Sequence, residues 1–157
     1  MKILLVNGPN LKLLGLREPA IYGSETLEQI VTNVCEYATA KGVQITAFQS
    51  DEEADLVTTI GAARGQYDGI IINPAAYTHT SVALRDAIAA CGVPTVEVHL
   101  SNTHKRESFR QLSLTAPVCV GQIMGFGGKG YLLAVDALIV GLDTSSPSKR
   151  KQVCQRK

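Results

Sequence analysis

Glu97 and His99 stand two residues apart at the end of an apolar run, Thr95–Val98. On a strand that spacing puts both side chains on one face, so a carboxylate and an imidazole can pair there. Histidine is the side chain whose ordinary pKa lies closest to neutrality, and its hydrogen-bond partner decides which ring nitrogen carries the proton. Either Glu97 or a backbone carbonyl can supply that partner. Arg106 and Arg110 follow four residues apart, one turn if the segment is helical, and offer two guanidinium groups to an anionic ligand. A structural ion pair with Glu107 is the plainer use of the same residues. Farther back, Arg17, Glu18 and Tyr22 share a stretch with no hydrophobic period, residues 9–23, which also holds Pro9, Gly15, Pro19 and Gly23. An aperiodic loop of that length in a small domain is functional or disordered. Tyrosine ordinarily ionises near pH 10, roughly, and a neighbouring guanidinium favours its phenolate. The residue types therefore allow a carboxylate–imidazole pair and an anionic ligand, with residues 9–23 as a candidate lid.

Something must bring these groups together. Short apolar runs at Ile3–Val6, Val43–Phe48, Gly69–Ile72, Thr95–Val98 and Val118–Ile123 read as strands. Most are β-branched and nearly continuous, as strands buried on both faces are. Helical spacing separates them. Leu27, Ile30, Val31, Val34, Cys35 and Ala38 form one stripe, stopped by Gly42. Ser50 to Glu53 reads as a capping box ahead of Leu56, Val57, Ile60 and Ala63. Leu84, Ala87, Ile88 and Cys91 predict a third helix, Arg106–Leu112 a short fourth, and Tyr131–Gly141 a fifth. Strict alternation predicts a doubly wound α/β domain with right-handed crossovers, and the flavodoxin-like order 2-1-3-4-5 is preferred. In such sheets ligands bind beyond the carboxyl ends of the strands, where the order reverses. The first, third and fourth runs would then deliver Asn10, Asn73, His79, His99 and Ser101 to one edge.

The 157-residue chain is one domain by length, and its 45% hydrophobic content excludes a disordered chain. Residues 143–157 hold five of the 15 Lys and Arg against Asp143 alone, leaving the rest mildly acidic. That division argues against a nucleic-acid-binding body and reads as a catalytic domain, 1–142, with a disordered basic tail. Cys35, Cys91, Cys119 and Cys154 show no metal or redox spacing, and His79, His99 and His104 are scattered, so neither metal nor cofactor is expected. With no signal segment or span legible, a cytoplasmic protein is expected. Gly125 to Gly130 fits G-x-G-x-x-G, but after the last strand rather than the first, so a tight strand–helix turn explains it better than a nucleotide.

Several motifs taken in order resemble one family. Asn7-Gly8-Pro9-Asn10-Leu11, Leu13-Leu14-Gly15, Arg17-Glu18-Pro19 and Tyr22-Gly23 resemble the opening of the type II 3-dehydroquinate dehydratases. Ile72-Asn73-Pro74, Thr78-His79-Thr80-Ser81, Arg85-Asp86-Ala87, Val96 to Asn102, Arg106-Glu107, Phe109-Arg110 and Gly130-Tyr131 continue it, covering about residues 2–142. The resemblance implies trans-dehydration of 3-dehydroquinate to 3-dehydroshikimate through an enolate, without metal or Schiff base, in the shikimate pathway or quinate breakdown. It implies Tyr22 as general base, His99 as general acid, Arg17 as the lid cation and Asn10 as the holder of an enolate-stabilising water. Asn73, His79 and Arg110 would bind ring hydroxyls. Leu100 and Ser101 would bind the carboxylate; apart from the resemblance, Glu97 and Arg106 are read from their own positions as supporting these groups from behind. It further implies a homododecamer, a tetramer of trimers, in which Asp86 reaches a neighbouring site.

Lys12, Ala54, Ala75 and Asp51-Glu52 depart from the family's usual residues, and none removes a group named above. Two rival readings on the same fold are a flavin- or nucleotide-binding module and a non-catalytic interaction protein. The first lacks a phosphate cradle, since Pro9, Leu11, Leu13 and Leu14 occupy the first strand–helix loop. The second leaves Arg17, Tyr22 and His99 without a purpose.

Overall fold

The computed structural model describes residues 1–15 and 25–145. Arg17, Glu18 and Tyr22, the basic tail from Lys149 onward and Cys154 lie outside the described residues. Five parallel strands, β1 (Lys2–Asn7), β2 (Gln44–Gln49), β3 (Gly69–Asn73), β4 (Thr95–His99) and β5 (Gly121–Met124), form one sheet in the order β2-β1-β3-β4-β5. Helices α1 (Leu27–Thr39), α2 (Glu53–Gly61), α3 (Val82–Cys91) and α4 (Lys129–Ser145) cover both faces. This is the flavodoxin-like order expected from the alternation. Helix α4 continues three residues past the expected domain end at 142.

Period two explains the layers. Ile3, Leu5, Ile71, Val96 and Val98 face Ile30, Val34 and Ala38 of α1 and Ala134, Val135 and Leu138 of α4. Leu4, Val6, Ile70 and Ile72 face the other way, onto Leu56 and Ile60 of α2 and Leu84 and Ile88 of α3. β3 and β4 are buried along their whole length, which is why they read as continuous apolar runs. Each fully buried Ile, Leu or Val contributes about 1.5–3 kcal/mol, so this double core outweighs any single local preference.

Three local expectations need correction. The capping box belongs to α1, where Thr26 accepts from the Gln29 amide and the Gln29 side chain answers the Thr26 N–H. At α2 the cap is Glu52 without a side-chain bond, and Ser50 Oγ instead accepts the Glu52 N–H at 3.0 Å while donating to Asp55 at 2.8 Å. The expected helix at 106–112 holds only one 3-10 turn, Ser108–Arg110, and another, Thr103–Lys105, precedes it. The last strand starts at Gly121 instead of Val118, since Pro117 lies in a 3-10 turn over Ala116–Val118.

Strand order reverses between β1 and β3, and there Asn7 and Asn73 are register partners at the carboxyl ends. Gly8 follows so closely that an added Cβ would lie 2.6 Å from the Pro74 carbonyl oxygen, so only glycine lets the two chain ends meet. The buried Tyr131 hydroxyl of α4 donates to Asn7 Oδ1 and accepts from Asn73 Nδ2, both at 2.8 Å. Burial pushes that phenol far above its ordinary pKa, so it serves as a neutral bridge. Deleting it strands two buried amides, at about 1–3 kcal/mol by the usual cost of an unmade hydrogen bond. Tyr131→Phe should therefore lose stability in that range in urea unfolding, and unchanged stability would show that the bridge carries nothing.

Candidate active site

A cleft of about 120 Å³ opens beyond the strand ends at this switch point. It is lined by Asn10, Asn73, His79, His99, Leu100, Ser101, Arg106 and Arg110, together with Pro9, Leu11, Leu14, Ala75, Ala76 and Thr103. Eight residues singled out from the sequence thus share one cavity. Asp86 does not line it; the residue is exposed on α3. Glu97 lies beneath, fully buried behind His99.

Each polar group has a defined posture. His99 Nε2 lies 2.7 Å from Glu97 Oε1, and a carboxylate only accepts, so Nε2 carries the proton. Nδ1 is left as the ring nitrogen able to serve a ligand. Burial alone would raise the Glu97 carboxyl, but hydrogen bonds from His99 and Thr115, the His99 charge and a bond from Thr78 together hold it below its ordinary value. His79 donates through Nδ1 to the Leu112 carbonyl at 2.6 Å, which leaves Nε2 for the cleft. Asn73 Oδ1 accepts the Ala75 N–H at 3.1 Å, so with Nδ2 on Tyr131 its remaining N–H is the donor to spare.

Glu107 bridges both arginines, at 3.0 Å to Arg110 Nε and 3.5 Å to Arg106 Nε. Its carboxyl sits below the ordinary range through a bond to its own backbone N–H, with both guanidinium groups adding to the effect. The ion pair weighed as a plain structural use is therefore present, and both arginines still line the cleft. The group of three keeps a net positive charge on that wall. It reaches the site from irregular turns, not from one helical face.

Asn10 sits in the left-handed region at φ 65°, which asparagine tolerates better than most residues. Asp51 holds it there, accepting its backbone N–H at 3.0 Å while also pairing with Lys12 and with Gln49 Nε2 at 3.0 Å. Two of the departures thus meet as partners. Lys12 first, then the Asn10 N–H, holds the Asp51 carboxyl below its ordinary value. This anchor is intact at neutral pH and is lost as pH falls through that lowered pKa.

The sequence reading missed the supporting partners that do not line the cleft. Thr78, Ser113, Thr115 and Gln122 surround Glu97, and Asn7 and Tyr131 hold Asn73. Ser113 and Thr115 alternate as a strand face would, a weak signal without the fold in hand. Among the described residues no cluster of three His, Cys, Asp or Glu could hold a metal ion. No described helix is long and apolar enough to cross a membrane. The Gly125–Gly130 turn packs on the protein itself: Gly125 has φ +89°, and a Cβ there would lie 3.2 Å from Asn102 Cβ.

Fold and site together define a flavodoxin-like α/β enzyme with a buried carboxylate–imidazole pair and a cationic wall at the switch point. Residues 1–139 match the family model described as "Dehydroquinase class II". The 3-dehydroquinate dehydratase of Prochlorococcus marinus is 58% identical over 139 residues, 88% of this chain and 93% of the relative. That of Geotalea daltonii is 56% identical over 138 residues, 88% of this chain and 96% of its own. The crystal structure of the type II dehydroquinase from Butyrivibrio crossotus superposes with a TM-score of 0.86 at 48% identity, covering 88% of this chain and 97% of that one. The chain belongs to the class II dehydroquinase family.

Ala75, beside the cleft, adopts φ 52°, a strained region for any residue with a Cβ. Relief by glycine gains about 1–2 kcal/mol, and the lost methyl gives back about 0.8 kcal/mol. Ala75→Gly should therefore raise stability slightly, by up to about 1 kcal/mol in denaturant unfolding. A clear loss would mean that methyl packing outweighs the strain.

Proposed function

We propose that the protein dehydrates 3-dehydroquinate to 3-dehydroshikimate, by trans elimination through an enolate. The observation that carries the mechanism is the Glu97–His99 pair, set at the carboxyl end of an interior strand beneath a cleft with amide donors and a positive wall. The substrate offers a carboxylate, ring hydroxyls and a ketone, and each matches a kind of group present. Leu100 and Ser101 receive the carboxylate, and Asn73, His79 and Arg110 the hydroxyls. Asn10 holds the water that stabilises the enolate oxygen.

The proton beside a ketone is weakly acidic and hydroxide is a poor leaving group, so a base, an enolate stabiliser and an acid are all required. Tyr22 takes the carbon proton, and its electron pair moves into the enolate. As the enolate collapses, the C–O bond to the leaving hydroxyl breaks, and His99, entering the step protonated on both ring nitrogens, gives its Nδ1 proton to complete water and is left neutral with the proton on Nε2. Arg17 favours the Tyr22 phenolate. The product is a conjugated enone, so turnover is followed by its ultraviolet absorbance. The subunits assemble as a dodecamer, a tetramer of trimers, and Asp86, exposed on α3, serves the site of a neighbouring copy. Such a step belongs to the shikimate pathway or to quinate breakdown. The chemistry uses no metal or organic cofactor, and the chain acts in the cytoplasm.

Removing either proton carrier tests this division of labour. Tyr22→Phe and His99→Ala should each slow turnover by about 10²–10⁴-fold, the usual worth of a general acid or base. With a substrate analogue carrying a better leaving group, the His99→Ala defect should shrink while the Tyr22→Phe defect persists. Near-normal turnover by Tyr22→Phe would assign the base elsewhere.

A further inference from the structure

Glu97 receives far more hydrogen bonds than one histidine requires. Its Oε1 accepts from His99 Nε2 at 2.7 Å, Gln122 Nε2 at 2.7 Å, Thr78 Oγ1 at 2.9 Å and Ser113 Oγ at 3.1 Å. Its Oε2 accepts from Thr115 Oγ1, with Ser113 Oγ at 3.4 Å. Five donors converge on a group with about four lone-pair positions.

Counting protons sharpens the point. Thr78 Oγ1 lies 2.8 Å from both Ser113 Oγ and Thr115 Oγ1, yet each hydroxyl has one proton to give. Ser113 Oγ also accepts the Ala116 N–H at 2.8 Å. Two N–H donors, His99 Nε2 and Gln122 Nε2, are fixed on Oε1, and the three hydroxyls can turn their protons the same way, so the surroundings suit a carboxylate anion. A protonated carboxyl would place a further hydrogen among donors, one of which would have to turn away.

The titratable neighbours leave this intact. His99 faces Glu97 from its own strand, and Cys119 from the turn before β5 is held as a thiol, pushed up to about 12 by burial and then by the Glu97 charge. Cys91 of α3 acts on Cys119. Arg85 of α3 donates to the Leu114 carbonyl at 2.8 Å. β3 and its following turn contribute Thr78, and β5 contributes Gln122, neither of which titrates.

We propose that Thr78, Ser113, Thr115 and Gln122 are positioning residues for the general acid, locking Glu97 as a carboxylate so that His99 keeps Nε2 protonated and presents Nδ1 to the departing oxygen. This rests on the reading of His99 as that acid. The same clamp joins the acid to the ligand-binding arm. Thr78 precedes His79, Leu112 grips the His79 ring, and the Leu114 N–H donates to the Thr78 carbonyl at 2.7 Å. The segment that carries Arg106 and Arg110 is thereby tied to the base of the histidine.

Thr115→Val keeps the shape and deletes one donor to the anion, and Thr115→Ser restores it. In the full chain Thr115→Val should lower kcat on 3-dehydroquinate roughly ten- to hundredfold, the worth of one hydrogen bond to a charged group. KM should stay within about twofold, and Thr115→Ser should recover most of the rate. The loss should shrink on the analogue with the better leaving group, as it does for His99→Ala, whereas a merely structural role would slow both substrates alike. Thr78→Val serves as the second variant if Thr115→Val does not fold, with the same expectation. Equal losses on both substrates, beside a leaving-group-dependent His99→Ala, would overturn the clamp alone. A His99→Ala defect indifferent to the leaving group would overturn the acid assignment and the clamp's catalytic role with it.

Discussion

A carboxylate buried in the centre of a sheet is unstable unless its charge is answered, and Glu97 imposes that demand on everything around it. Taking an anion out of water costs several kcal/mol even after the protein relaxes, so the surroundings must supply donors in full. They come from four places: β4 itself, β5, the turn after β3 and the 113–116 segment. An irregular stretch of some twenty residues between β4 and β5 therefore has a reason to hold one shape. It closes over Glu97 with hydroxyls and, on the way, lays Arg106 and Arg110 along the cleft.

The opposite wall is built with neutral groups. Asn7, Tyr131 and Asn73 form a chain of buried hydrogen bonds across the switch point, linking β1, α4 and β3. The charged pair of Lys12 and Asp51 lies farther out and secures the Asn10 backbone. Among the described residues the carboxylate–imidazole pair thus lies on one side of the cleft, at His99, while amides shape the other. This separation lets one group change charge without disturbing the hydrogen bonds that orient a ligand.

Much of this was legible in the sequence, for a physical reason. Apolar period and strand-end polarity are local properties, so the helices at Leu27 and Leu84, the strand runs and the cluster of Asn10, Asn73, His99 and Ser101 could be read along the chain. Where tertiary hydrogen bonds decide the outcome, the reading failed. Arg106–Leu112 has helical spacing, yet its backbone forms a single 3-10 turn, Ser108–Arg110, and the residues after it are bound to His79 and Glu97. Ser50 resembles a cap but bonds Asp55. Thr78, Ser113, Thr115 and Gln122 lie up to 44 positions apart, between Thr78 and Gln122, and only the folded sheet makes them neighbours. The resemblance to type II dehydratases named the groups proposed to meet substrate, and the supporting hydroxyls were left to the structure.

The central claim is that Glu97 stays ionised and His99 holds its proton on Nε2 while Nδ1 exchanges. Nitrogen-15 NMR of the histidine-labelled protein, followed through the pH range of activity, reads both ring nitrogens directly. The account predicts that His99 Nε2 remains protonated throughout and that Nδ1 alone gains and loses its proton. A neutral His99 protonated on Nδ1, or titration of Nε2 in its place, would contradict it.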